Sequence, residues 1–135
     1  MFEHEPARIL VVDDEAVIRF TLDTILRRVG YTVTTAADGE QALACLVQRP
    51  FDLLLLDLDL PGISGLNVAQ HAQEHHPSAV VVFLTGHSDF NRLSIGEQVG
   101  HFDYILKTAS PHEVVDRVAS ALHTVQYAGD MLVNR

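Results

Sequence analysis

The sequence predicts an α/β domain, a parallel sheet with helices on both faces and right-handed crossovers. Three observations carry this expectation. Short apolar runs alternate with amphipathic stretches five times along the 135 residues. The run Val80-Val81-Val82-Phe83-Leu84 has no polar alternation, as a parallel strand covered on both faces requires. Two other runs end in acids: Ile9-Leu10-Val11-Val12 in Asp13-Asp14-Glu15, and Leu53-Leu54-Leu55-Leu56 in Asp57. Open α/β sheets place their chemistry just outside the carboxyl ends of such strands.

The elements follow in order. Strands are expected over Arg8 to Val12, Tyr31 to Ala36, Leu53 to Asp57, Val80 to Leu84 and Tyr104 to Leu106. Ile18, Leu22, Ile25, Leu26 and Val29 recur at helical spacing, and Gly30 directly after them is a helix stop. Asp38 and Gln41 mark the start of the second helix, where Cys45 packs as a small hydrophobe. The third helix carries His71 and His75. A fourth is expected over Asp89 to Val99, but Ser94 and Gly96 interrupt it, and a mid-helix glycine costs ~1 kcal/mol relative to alanine. The fifth bears the stripe Val114, Val118, Leu122, Val125. Its start is well marked by Ser110 as N-cap, Pro111 in the first turn and Glu113 closing a capping box. The chain divides into an extension over 1–7, the domain over 8–126, and a tail or connector over 127–135.

Composition bounds the function. With 47% hydrophobic and 20% charged residues the chain is globular. Eighteen acids against nine bases give a net charge of -9, which argues against a nucleic-acid surface. No apolar stretch approaches the ~20 residues that span a bilayer, and Met1 to Pro6 do not read as a signal peptide. A single cysteine forms no internal disulfide, so a cytoplasmic setting is expected. The acids at two strand ends define an anionic pocket. Like charges in close contact are costly, so the pocket asks for a divalent cation.

Four segments carry a family likeness: Ile9-Leu10-Val11-Val12-Asp13-Asp14-Glu15, Leu56-Asp57-Leu58-Asp59-Leu60-Pro61-Gly62-Ile63-Ser64-Gly65, Leu84-Thr85-Gly86-His87, and Phe102-Asp103-Tyr104-Ile105-Leu106-Lys107. In this order and spacing they resemble the receiver domain of bacterial two-component response regulators, from about Arg8 to Leu122. The resemblance implies a flavodoxin-like, doubly wound (βα)5 sheet of strand order 2-1-3-4-5. It implies that Asp57 is the phosphoacceptor, taking its phosphoryl group from a sensor histidine kinase or phosphotransfer protein. Mg²⁺ is the implied cofactor, held by Asp13, Asp14, Asp57 and the backbone carbonyl of Asp59. Lys107 would oppose the phosphoryl charge, Thr85 would donate its hydroxyl to a phosphoryl oxygen, and Tyr104 would turn inward as an aromatic switch. The implied output is a change in the face formed by the fourth helix, strand five and the fifth helix, read by an effector, an output domain or a homodimer. Such a module assists its own phosphotransfer and dephosphorylation and is no enzyme with a turnover substrate.

The chain departs from the family at two places, and two further positions bear on phosphoryl lifetime. Thr108 stands where proline usually follows the strand-five lysine, often after a cis bond. His101 replaces a small residue before strand five, and His87 and Asp59 occupy positions that influence phosphoryl lifetime. Two other functions compete. A degenerate receiver would act only as a docking or dimerisation module. Asp57-Leu58-Asp59 also resembles the opening motif of haloacid-dehalogenase-type phosphatases, although Pro61 takes the place where that motif favours threonine or valine. His71 and His75, at i and i+4, have a spacing that can bind zinc, but no cysteine lies near and Gln73 and Glu74 read as a solvated face.

Overall fold

The computed structural model describes residues 5–86 and 103–133, with side chains up to residue 123. The described elements are β1 (Arg8–Val12), α1 (Ala16–Arg28), β2 (Thr32–Ala36), α2 (Gly39–Gln48), β3 (Leu53–Asp57), α3 (Gly65–His75), β4 (Val80–Thr85), β5 (Asp103–Leu106) and α4 (Pro111–Val133). The strands form one sheet of order β2-β1-β3-β4-β5, with every pair parallel. The fourth helix expected over 89–99, and His87 and His101, lie outside the described residues. No helix among the described residues is long and apolar enough to cross a membrane.

Strand alternation explains why the central runs show no polar positions. Leu10, Val12, Leu54, Leu56, Val81 and Phe83 pack on one face, against Ala42 and Leu46 of α2 and Val68, Ala69 and Ala72 of α3. Ile9, Val11, Leu53, Leu55, Val82 and Leu84 pack on the other, against Leu22 and Leu26 of α1 and Val114 and Val118 of α4. Successive side chains thus enter two different cores, and both must be apolar. Burying each such leucine or valine contributes about 1.5–3 kcal/mol.

The helix ends are set by local hydrogen bonds. At the end of α1, the Gly30 N–H donates to the Arg27 carbonyl (3.0 Å) and the Tyr31 N–H to the Leu26 carbonyl (3.2 Å), with Gly30 at φ 107°. This is a Schellman motif, and it needs the left-handed glycine. It also moves the start of the second strand from Tyr31 to Thr32, because the Tyr31 amide is spent on the helix. Asp38 caps α2 by accepting from the Gln41 N–H (2.8 Å), while Gln41 Oε1 accepts from the Ala37 N–H (2.8 Å). Ser64 caps α3 and Ser110 caps α4, accepting from Asn67 and Glu113 N–H at 3.2 and 3.1 Å. The last helix runs on through residues 127–133, the stretch read from sequence as a tail or connector.

Candidate functional site

Three strands bring three charged side chains to one side of the sheet. Val11, Leu55 and Ile105 face the α1/α4 core. Asp13, Asp57 and Lys107 stand two residues further along the same three segments, so alternation sends them to that side, at the carboxyl edge. The β1–β3 register, Val12 beside Leu56, puts Asp13 next to Asp57. Lys107 stays in line because its N–H donates to the Thr85 carbonyl at 2.8 Å.

The Lys107 ammonium lies 3.0 Å from Asp57 Oδ2, 3.1 Å from Asp13 Oδ2 and 3.7 Å from Glu15 Oε1. Asp57 is 1% exposed and Asp13 is fully buried, whereas Asp14 is exposed. Asp57 Oδ1 accepts the Asp59 N–H at 3.0 Å, and Asp13 Oδ1 accepts the Glu15 N–H at 2.8 Å. Glu15 is the residue at the cap position of α1 and makes no side-chain cap bond. Asp14 therefore does not occupy the cap position of α1.

Burial dominates the ionisation of this group. It pushes the Asp57 carboxyl up to about 7; the Lys107 hydrogen bond opposes the rise, and the charges of Asp13 and Asp14 reinforce it. Burial likewise raises Asp13, against the Glu15 N–H and Lys107. Burial pulls Lys107 down, but its hydrogen bond to Asp57, its close contact with Asp13 and the charges of both outweigh this and hold the ammonium above its ordinary value.

The donor set fits a hard divalent cation. Asp13, Asp14 and Asp57 each offer an oxygen, and these oxygens lie within 4.8 Å of one another. Octahedral Mg²⁺–oxygen distances of about 2.0–2.1 Å place ligands roughly 3 to 4.2 Å apart. Asp13 Oδ2 is sealed from solvent and receives no hydrogen bond, although the Lys107 ammonium is its ion-pair neighbour. A buried carboxylate oxygen that accepts no well-aligned hydrogen bond has lone pairs to offer a cation.

Thr85 ends β4 and Tyr104 lies on β5, both outside this cluster. Thr85 is buried, and its hydroxyl donates to the Gly86 carbonyl at 3.2 Å rather than to Asp57. Tyr104 is 37% exposed. Arg117 of α4 holds its guanidinium carbon 5.9 Å from the Tyr104 ring centroid and donates to the Tyr104 carbonyl at 2.7 Å and to Asp103 Oδ1 at 3.2 Å. Among the described residues no peptide bond is cis, so Lys107–Thr108 is trans.

Two further positions shape the site and were not singled out from sequence. Gly65 opens α3 directly against the β3 end: a Cβ there would run into the Asp57 carbonyl oxygen and lie 3.1 Å from Leu58 Cα. A glycine in the first turn of a helix, where propensity disfavours it, was the available signal. Arg19 Nη1 donates to the Asp13 carbonyl at 2.8 Å and braces the acidic loop. His71 and His75 stack at 4.3 Å between centroids, but they join no group of three or more metal-binding side chains among the described residues.

This fold is the flavodoxin-like, CheY-type doubly wound sheet, and its acids and lysine converge at the carboxyl ends of β1, β3 and β5. The chain belongs to the response regulator receiver domain family, whose model matches residues 9–119. The transcriptional regulatory protein ResD of Bacillus subtilis (strain 168) is 38% identical over 122 residues, covering 90% of this chain and 50% of ResD. Among solved structures, NtrX from Brucella abortus matches at TM-score 0.90 and 31% identity, over 96% of this chain and 30% of NtrX. A CheY-like receiver domain protein from Methanospirillum hungatei JF-1 matches at TM-score 0.85 and 27% identity, over 91% of this chain and 98% of that one. The chain spans about half the length of curated regulators such as ResD. Membership of a family of signalling modules leaves the phosphatase reading of Asp57-Leu58-Asp59 without support.

Proposed function

We propose that this chain is a phosphorylation-controlled switch in which Asp57 accepts a phosphoryl group from a phosphohistidine of a sensor kinase or phosphotransfer protein. One observation carries the reading. The Asp57 carboxylate is held at the end of the central strand between the Lys107 ammonium and the Asp59 N–H, each at 3.0 Å, with Asp13 and Asp14 beside it. In the transfer an Asp57 oxygen forms a bond to phosphorus as the phosphorus–nitrogen bond to the donor imidazole breaks, giving an acyl phosphate. The two hydrogen bonds fix the orientation of the nucleophile, which is most of what phosphoryl transfer asks of a protein. Lys107 supplies positive charge where the phosphoryl oxygens arrive. Bound Mg²⁺, held by Asp13, Asp14, Asp57 and the Asp59 carbonyl, would neutralise further charge on those oxygens.

The switch follows from two residues near the site. The Thr85 hydroxyl now bonds Gly86, only weakly at 3.2 Å. Drawn toward a phosphoryl group on Asp57, it vacates space into which Tyr104 turns. The face built from β5 and α4 is then altered for an effector, an output domain or a second copy of the chain. This setting is a cytoplasmic one.

Incubation with acetyl phosphate and Mg²⁺, followed by intact-mass measurement, tests the reading. One added phosphoryl group is expected, and Asp57→Asn should abolish it. A label that survives in this variant would overturn the assignment. Correctly folded wild type that takes up no label and shows no response to beryllofluoride would instead favour a degenerate docking module.

A further inference from the structure

We infer that Arg117 is a positioning residue that holds Tyr104 in its outward arrangement, and so sets how readily the switch responds to the phosphoryl group. The inference rests on the switch reading above and adds a residue to it.

The argument starts from how the guanidinium is held. Arg117 reaches from α4 to β5, where Nη2 donates to the Tyr104 carbonyl at 2.7 Å and to Asp103 Oδ1 at 3.2 Å. Asp103 Oδ1 also accepts the Tyr104 N–H at 2.8 Å. Both anchors are backbone or neighbouring groups of strand five, and they stay in place if the tyrosine side chain rotates. Arg117 Nε is buried with no acceptor. The side chain is therefore posed by the strand and the ring, at the expense of its own full hydrogen bonding.

The pose matters because it leaves the guanidinium 5.9 Å from the centroid of the outward-lying ring. That separation is within cation–π range, at its outer edge. A Tyr104 ring that turns toward Thr85 leaves this contact, while the backbone anchors remain. Arg117 thus interacts differently with the two side-chain arrangements, which a group must do to bias an equilibrium between them. The planar fork allows it to bind the strand and face the ring together, which a lysine cannot do in the same way. Contacts of this kind at exposed sites correspond to about a twofold to fivefold change in a population ratio. By linkage, a ligand selecting the inward arrangement should bind more tightly by the same factor once the arginine is removed, as long as that arrangement is the minor one.

The test uses the full chain labelled with 3-fluorotyrosine. Three tyrosines give three fluorine resonances, and Tyr104→Phe identifies the one of interest. Wild type, Arg117→Ala and Arg117→Lys are titrated with beryllofluoride and Mg²⁺, and the Tyr31 resonance reports that each remains folded. In ligand-free Arg117→Ala the Tyr104 resonance should lie partway toward its beryllofluoride position. Apparent beryllofluoride affinity should rise about twofold to fivefold, with Arg117→Lys in between. An unmoved Tyr104 resonance with unchanged or weaker affinity in Arg117→Ala overturns the inference, whatever happens to the melting temperature. If beryllofluoride binds wild type yet leaves its Tyr104 resonance unmoved, the switch reading itself fails, and the role of Arg117 with it.

Discussion

Lys107 meets Asp57 at 3.0 Å although the peptide bond that follows it, to Thr108, is trans. The contact is secured from the other side. The Lys107 N–H is paired with the Thr85 carbonyl at 2.8 Å, so the strand ladder, rather than the residue after it, places the ammonium over the two buried aspartates.

Lys107→Ala should leave Asp13 and Asp57 side by side without their cation. Removing one partner of a buried ion pair costs about 3–5 kcal/mol. Either carboxyl can relieve the repulsion by taking up a proton, so the loss should be largest near pH 8 and smaller near pH 5. Urea unfolding of metal-free protein at both values measures it. Equal losses at the two would contradict a Lys107 that acts through charge.

Asp57 makes metal-free stability depend on pH. Its carboxyl is raised from 3.8 to about 7 in the folded protein. The folded state therefore holds the extra proton across that interval. This contribution is fully present below pH 3.8 and is lost as pH rises through about 7. Its size is on the order of a few kcal/mol. Asp13, also raised by burial, adds a slope of the same sign. Thermal unfolding from pH 4 to 8 should show wild type falling more steeply than Asp57→Asn, and parallel profiles would rule out Asp57 as the source.

On the proposed reading, protons and magnesium should compete for the Asp57 carboxylate. Apparent Mg²⁺ affinity should climb by up to about tenfold per pH unit below 7 and flatten above it. Calorimetry at pH 6 in two buffers of different ionisation enthalpy should detect a released proton, and identical heats would refute the competition. Asp14→Ala should abolish most of the Mg²⁺-dependent gain in melting temperature. It should also raise the melting temperature of the metal-free form, since it removes one of the clustered charges.

Gly65→Ala adds a single carbon against the Asp57 carbonyl. Overpacking of this kind costs about 1–3 kcal/mol. Because the displaced backbone belongs to Asp57, the proposed phosphoacceptor, the rate of labelling by acetyl phosphate should fall in protein that still melts cooperatively. A variant with a lower melting temperature and an unchanged labelling rate would show that the close approach serves packing alone.

Most of the frame was legible because strand periodicity and helix stops are local. The apolar runs around Leu54 and Val82 announce strands buried on both faces, and Gly30 ends α1 as a left-handed cap should. The acids at the strand ends marked the candidate site, where Asp13, Asp14 and Asp57 converge, for the same reason. Strand order came from the family likeness, since nothing in a run of leucines says which run lies beside it. Boundaries shifted where one amide had two prospective partners, as Tyr31 did between helix and strand. Contacts between distant segments were the hardest to read. Arg19 on the Asp13 carbonyl, Arg117 on β5 and Gly65 under Asp57 depend on how elements pack, and no spacing in the chain encodes them.

The length of α4 has a mechanical consequence. Among its described side chains, Val114, Val118 and Ala121 are buried against the sheet. From Ala121 to Val133 the helix extends roughly 18 Å at 1.5 Å per residue. For a pivot at Ala121 the helix axis is a lever whose fulcrum is the sheet. Tilting the anchored half by about 10° would sweep Val133 through roughly 3 Å, so a rearrangement at β5 too small to disturb the core would arrive at the far end as a displacement the size of a side-chain contact.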